Sequence, residues 1–359
     1  MDPEATKLGS YTLVTRPGHS IDSARVAMLD ANVLLRVQSW SLSSRPSPDQ
    51  TAQMRPLWEA LSAQWRARRI EVNWQLGALE MTWQHEPGPP SATSALTSWP
   101  DVTDMTRAGA LAMCLVEEPE NRADKWWSTS RRYALTPARQ YLARTQEAIG
   151  SANGSELASV VAQNWAAVLL LMIHFDSASQ IDRFDESMEA WWAWRRELQA
   201  MGVGGSSEVS ALAQLVFFGG SLLPLDSRGR PTRVQARELL KRNEWAAQGP
   251  LRVARNVAFD LTILGAHRAY QGRPTVLVTE DKGLLALAAL PMEDLQFGDV
   301  QGTFSRLAEG SRLRGRETDP EFLAQLNRYG HRPTEDLLTA QDCLGLVPGL
   351  ATRVAAGLV

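Results

Sequence analysis

The sequence predicts an α/β fold, with helices packed on an open parallel sheet, a helical insertion and a helical C-terminal extension. Three observations predict it. The apolar run Val26-Ala27-Met28-Leu29 stops at Asp30, and apolar residues resume at helical spacing from Val33. A second run, Thr275 to Thr279, is apolar and β-branched and leads into Glu280-Asp281. Helical spacing dominates residues 101 to 205, and helix and strand patterns alternate from 208 to 298.

Taken in order, residues 1 to 24 read as a polar lead-in. A buried strand ends at Asp30, and a helix starts near Asn32, whose side chain suits a cap. Residues 41 to 50 are rich in Ser and Pro and read as a loop. Met54, Leu57, Trp58, Leu61 and Trp65 form the apolar stripe of a helix over 51 to 68. A further helix is expected over 72 to 84, with Glu80 inside it, before Pro and Gly break the pattern from 85 to 100. In the helical stretch that follows, 156 to 175 and 182 to 200 are the clearest segments, and the glycine-rich run at 202 to 207 ends it. Beyond it are expected a helix over 208 to 218, an edge strand over 221 to 225, a basic helix over 232 to 246 and a helix over 252 to 270 carrying Asp260. The strand over 275 to 279, a helix over 284 to 290 and a last strand at Leu295-Gln296-Phe297 complete the alternation. Residues 301 to 359 read as helical. The expected organisation is a lead-in (1–24), the two halves of an α/β domain (25–85 and 208–300), a helical insertion between them (86–207) and a C-terminal extension (301–359).

Composition narrows the function. Of 359 residues, 44% are apolar and 21% charged, which is ample for a buried core. The net charge of -3 provides no global positive field, so any nucleic-acid surface is a local patch. The two cysteines stand far apart and outside any zinc-ligand spacing, which argues against a disulfide scaffold or a zinc site. The first ten residues lack the apolar core of a signal peptide, and the longest apolar run, Trp165 to Ile173, is too short to span a bilayer. A cytoplasmic protein is expected.

The chemistry lies in the acids. Ligands of open parallel sheets bind beyond the carboxyl ends of the strands. Asp30 and Asp281 each follow an apolar strand, and Asp260 sits among apolar neighbours in the helix before the second strand. Carboxylates brought together repel one another and take up protons unless a cation joins them. Hard oxygen ligands favour Mg2+ or Mn2+, which activates water and stabilises charge on a phosphoryl group. For each acid the plain alternative is a turn, a helix cap or an ion pair, with Arg255 or Arg268 as the partner for Asp260.

At these residues the sequence resembles the PIN-domain family of nucleases. The resemblance is carried by VAMLDANVLL (26–35), QLGALEMTW (75–83), NVAFDLTILGAHRAYQGRPTVLVTEDKGL (256–284) and, more loosely, SLLPLD (221–226). It covers under half of the chain, and the 120 or so residues between its halves have no counterpart in compact PIN toxins. It implies a doubly wound, mostly parallel sheet and a Mg2+- or Mn2+-dependent phosphodiesterase that acts on RNA, with DNA as a variant substrate. The family's acids fall on Asp30, Glu80, Asp260 and Asp281, with Glu71 and Glu86 as rivals for the second place. Asn32 and Thr279 fall where the family positions its acids and waters. Resemblance to PIN toxins also brings in a protein inhibitor or antitoxin as a partner, and the insertion is a candidate for restricting substrate access or building a homodimer.

Two basic segments suit a polyanion. One carries Arg228, Arg230, Arg233, Arg237, Lys241, Arg242, Arg252 and Arg255; the other carries Arg122, Lys125, Arg131 and Arg132, interleaved with Trp126, Trp127 and Tyr133. Cations that meet phosphates and aromatic rings that stack on bases would hold single-stranded RNA, whereas the bland alternative is a solvated helix face. The competing function is a catalytically inactive RNA-binding or protein-interaction scaffold on the same fold.

Overall fold

The computed structural model describes residues 4–16, 18–42, 47–67, 69–83, 102–114, 139–140, 143–144, 157–179, 184–218, 239–269, 273–288, 292–297, 300–305, 319–329 and 337–357. The chain divides into two compact units: residues 1–146 with 266–288, and residues 147–265 with 289–359.

The first unit holds the α/β sheet. Its strands are β1 (Ala5–Leu8), β2 (Tyr11–Thr15), β3 (Val26–Leu29), β4 (Glu71–Asn73) and β5 (Thr275–Thr279), in the spatial order β1-β2-β5-β3-β4. Both central strands are buried along their whole length, which is what their unbroken apolar runs require. β3 runs parallel to β5, pairing Met28 with Leu277, and parallel to β4. β2 runs antiparallel to β5, pairing Leu13 with Val278.

Two expectations are corrected here. The expected lead-in carries a hairpin of two sheet strands, and the sheet is mixed instead of mostly parallel. β2 alternates too weakly to show as a strand, because Tyr11, Leu13, Val14 and Thr15 are all buried. The hairpin turns at Gly9, whose φ of +64° is easy only for glycine, and whose absent Cβ would sit 2.5 Å from the Gln53 carbonyl oxygen.

The helices of this unit are α1 (Ala31–Leu42), α2 (Pro48–Arg66), α3 (Gln75–Trp83) and α4 (Val102–Cys114), with α9 (Lys282–Ala288) following β5. The helix expected from 72 begins at Gln75, because residues 71–73 pair with β3. α2 begins with a capping box between Ser47 and Gln50 and has Pro48 at its first position. Leu29, Val33, Leu34, Val37, Leu57, Leu61, Leu111, Val276 and Val278 share one core. α4 packs on α1 and α3, so part of the expected insertion belongs to the sheet unit.

The second unit is mainly helical: α5 (Leu157–Ser179), α6 (Phe184–Met201), α7 (Ser207–Phe218), α8 (Pro250–Ala269), α10 (Pro320–Tyr329) and α11 (Ala340–Ala356). The last turn of α8, from Ala266, belongs to the sheet unit. α5 is apolar nearly all round and is buried by α6, α7 and α11. Among the described residues no helix is long and apolar enough to cross a membrane.

Polar side chains tie these helices together. Asn164, fully buried on α5, donates to Thr262 Oγ1 on α8 at 3.0 Å and accepts from the Ser206 amide at 3.1 Å. Gln163 reaches the Leu338 carbonyl at 2.6 Å. Glu197 accepts from Arg353 at 2.6 Å and meets His174 at 2.7 Å. Trp165, Trp191 and Trp194 are buried, as their helical spacing suggests.

The last expected strand exists as β6 (Met292–Phe297), but among the described residues it pairs with β7 (Val300–Ser305) alone, in a separate two-stranded sheet. The start of the expected helical extension is therefore a strand. The edge strand expected at 221 to 225 and the Trp126-Trp127 segment lie outside the described residues.

Candidate metal centre

Asp30 is the first residue beyond β3. Its amide still closes the ladder, donating to the Val278 carbonyl at 3.2 Å, and its own carbonyl accepts from Val33 and Leu34 to open α1. The backbone thus holds Asp30 at the junction of strand and helix, deeply buried.

Its side chain does not serve as the ordinary helix cap. Oδ2 accepts from Thr279 Oγ1 at 2.7 Å and from Asn32 Nδ2 at 3.3 Å. Oδ1 is buried, and among the described residues no hydrogen-bond donor reaches it. An unpartnered carboxylate oxygen in the interior is costly, so this atom calls for a cation or a proton. Burial pushes the Asp30 carboxyl up to about 6, and the charge on Asp281 adds to the rise. The donors Thr279, Asn32 and the Ala31 amide pull it back.

Thr279 ends β5 and links two of the acids. It donates to Asp30, while its oxygen accepts from the Asp281 amide at 3.0 Å. Parallel pairing of β3 and β5 brings their carboxyl ends together, which places Thr279 beside Asp30. Asp281 accepts from the Leu284 amide at 2.9 Å and so caps α9.

Glu80 lies on α3 and is buried. One of its carboxylate oxygens lies within 4.8 Å of one from Asp30, and Asp281 lies outside that close grouping. Of its rivals, Glu71 sits exposed on β4 and pairs with Arg273 at 2.7 Å, and Glu86 is outside the described residues. Asp260, buried on α8, has Lys241 Nζ at 3.6 Å, a neighbour that the sequence did not suggest. Lys241 is the one described non-glycine residue at positive φ, 51°. Its proximity to Asp260 gave no sequence signal, because 19 residues separate the two.

Of the basic candidates, Arg228, Arg230, Arg233 and Arg237 lie outside the described residues. Arg242 stacks its guanidinium 4.5 Å from the Trp245 ring centroid, and Arg252 is exposed. Arg255 is buried, which takes it off any surface offered to a polyanion. Lys241 is half-buried against Asp260.

The donor set fits a hard divalent ion. Two oxygens bound to one Mg2+ at about 2.0–2.1 Å each stand no more than about 4.2 Å apart, and waters fill the remaining positions. The Asp30–Glu80 separation is compatible with that after a small side-chain adjustment. No family model, no curated protein and no solved structure matches the chain.

Proposed function

We propose that this protein is a metal-dependent phosphodiesterase that cleaves RNA, with Asp30 and Glu80 as the core of its metal site. The observation that carries the proposal is Asp30, whose buried Oδ1 meets no donor among the described residues and whose carboxylate has an oxygen within 4.8 Å of one from the buried Glu80. A bound Mg2+ or Mn2+ supplies a polarised water at neutral pH and a counter-charge for a phosphoryl group.

The chain's own residues prepare this site. Thr279 and Asn32 occupy Oδ2 of Asp30 and fix its rotamer, which leaves Oδ1 for the ion. Glu80 contributes the second carboxylate. Asp281 is assigned an electrostatic role, since one of its oxygens is engaged in capping α9.

Asp260 is assigned as a further acid of the reaction on the PIN resemblance, which places one of the family's acids there. RNA as substrate follows from the PIN resemblance, and the basic segment from Arg228 to Arg252 is assigned to its backbone.

The ion pair between Lys241 and Asp260 favours a second reading, an inactive scaffold in which Asp260 is held by a lysine ammonium instead of serving a metal. Metal titration separates the two. Asp30→Asn should weaken Mn2+ binding by about 10- to 100-fold and reduce RNA cleavage by at least as much, with the circular dichroism spectrum unchanged. Full cleavage by Asp30→Asn, or cleavage that persists in EDTA, would sink the proposal; absence of Mn2+ binding by the unaltered protein favours the scaffold.

A further inference from the structure

Gly77 lies in the first turn of α3, three residues before Glu80, and so on the same face of the helix. A Cβ built on it would fall 2.5 Å from the Leu29 carbonyl oxygen and 3.0 Å from the Ala31 amide nitrogen and the Asp30 carbonyl carbon. All three are backbone atoms of the peptide units that flank Asp30. They cannot swing aside as a side chain would, because the Asp30 amide is held in the β-ladder and its carbonyl opens α1.

We infer that Gly77 is a positioning residue for the metal site: its missing side chain lets α3 dock on the Asp30 backbone, and that approach sets the distance from Glu80 to Asp30. The inference rests on the proposed metal-binding role of these two acids. Ordinary carbon–oxygen contact begins near 3.4 Å, so an alanine here must move the helix by most of an ångström. Glu80, one turn further on, moves with it. Two ligands of a small, geometrically strict ion do not tolerate that displacement without loss of affinity.

Elsewhere in a helix, Gly→Ala is neutral or stabilising, because alanine is the better helix former. Gly345, in α11, is the matched control, since a Cβ there meets nothing within 4 Å.

Mn2+ affinity of the full chain is measured from the electron paramagnetic resonance of the free ion. The proteins compared are the unaltered chain, Gly77→Ala, Glu80→Gln, the double variant and Gly345→Ala. Gly77→Ala should weaken Mn2+ binding by about 10- to 100-fold, as losses of supporting residues around metal sites do. Its circular dichroism should not change, and Gly345→Ala should bind as the unaltered chain does. If Gly77 acts through Glu80, the double variant should be little worse than Glu80→Gln alone.

Unaltered binding by Gly77→Ala, or losses that multiply in the double variant, overturns the inference while leaving the metal site standing. Absence of Mn2+ binding by the unaltered protein ends both. If Gly77→Ala does not fold in buffer, all five proteins are titrated in trimethylamine oxide, which favours compact states. A variant that stays unfolded there shows that the contact sets the fold and not the site, and the inference fails.

Discussion

Asp30 combines an acceptor-saturated oxygen with an orphaned one, and the two have different consequences. Oδ2 is tied by Thr279 and Asn32, so the side chain cannot turn to solvent. Oδ1 bears the cost of burial, which raises the carboxyl to about 6. A carboxylate whose folded value lies above its unfolded one, near 3.9, favours the fold when protonated and costs stability once ionised. In EDTA, the contribution of Asp30 should therefore grow as pH falls from 6 to 4 and be lost as pH rises through 6. The shift corresponds to about 3 kcal/mol. Asp30→Asn should accordingly be more stable than the unaltered protein by about 1–3 kcal/mol at pH 8, and the gap should close near pH 4. Urea unfolding at the two pH values measures it, and an unchanging gap would remove Asp30 as the titrating group. The position of Asp30 is legible in the sequence, because an apolar strand that stops at an acid is a local pattern. The orphaned state of Oδ1 is not, because it depends on Thr279, a residue 249 positions away.

Elements that are buried on all sides announce themselves in sequence, and elements defined by their neighbours do not. β3 and β5 are unbroken apolar runs, and α5 is a long apolar helix, so all three were predictable from composition along a window. β4 is three residues long and exists only by pairing with β3, which is why its residues read as the start of a helix. β2 owes its strand to β5 in the same way. Among the helices of the second unit, Asn164 is the most consequential polar contact, since it joins α5 to α8 and to the turn before α7. Asn164→Leu should destabilise the protein by about 1–3 kcal/mol, because the Ser206 amide loses its buried acceptor. A fall in the urea midpoint with no change in slope checks this, and an unchanged midpoint would show that water serves the amide equally well.

At the level of the whole molecule, the chain leaves the sheet unit after residue 146, returns at 266 and leaves again after 288. Neither unit is a single stretch of sequence. The C-terminal helix α11 shows the result: Cys343, Val347, Leu350 and Val354 are buried, and the helix packs along α5, more than 160 positions earlier. Residues 340 to 356 are therefore part of a core and not a tail. Val347→Ala combined with Leu350→Ala should cost roughly 3–7 kcal/mol, from lost burial and the cavities left behind. A fall in thermal midpoint of less than about 2 °C would show the helix to be a dispensable appendage.

By itself, the sequence determined the α/β class, the two buried strands, the helices read at 51–68, 156–175 and 252–270, and the acids that follow the strands. It could do so because burial writes a local period of two, of 3.6 or of none into successive residues. Only the tertiary structure decided that the sheet is mixed, that Glu71 turns to solvent while Glu80 joins Asp30, that Lys241 meets Asp260, and that a glycine brings α3 against the strand end. Each of these depends on atoms far apart in the chain coming within a few ångströms, and no periodicity within one segment records such a meeting.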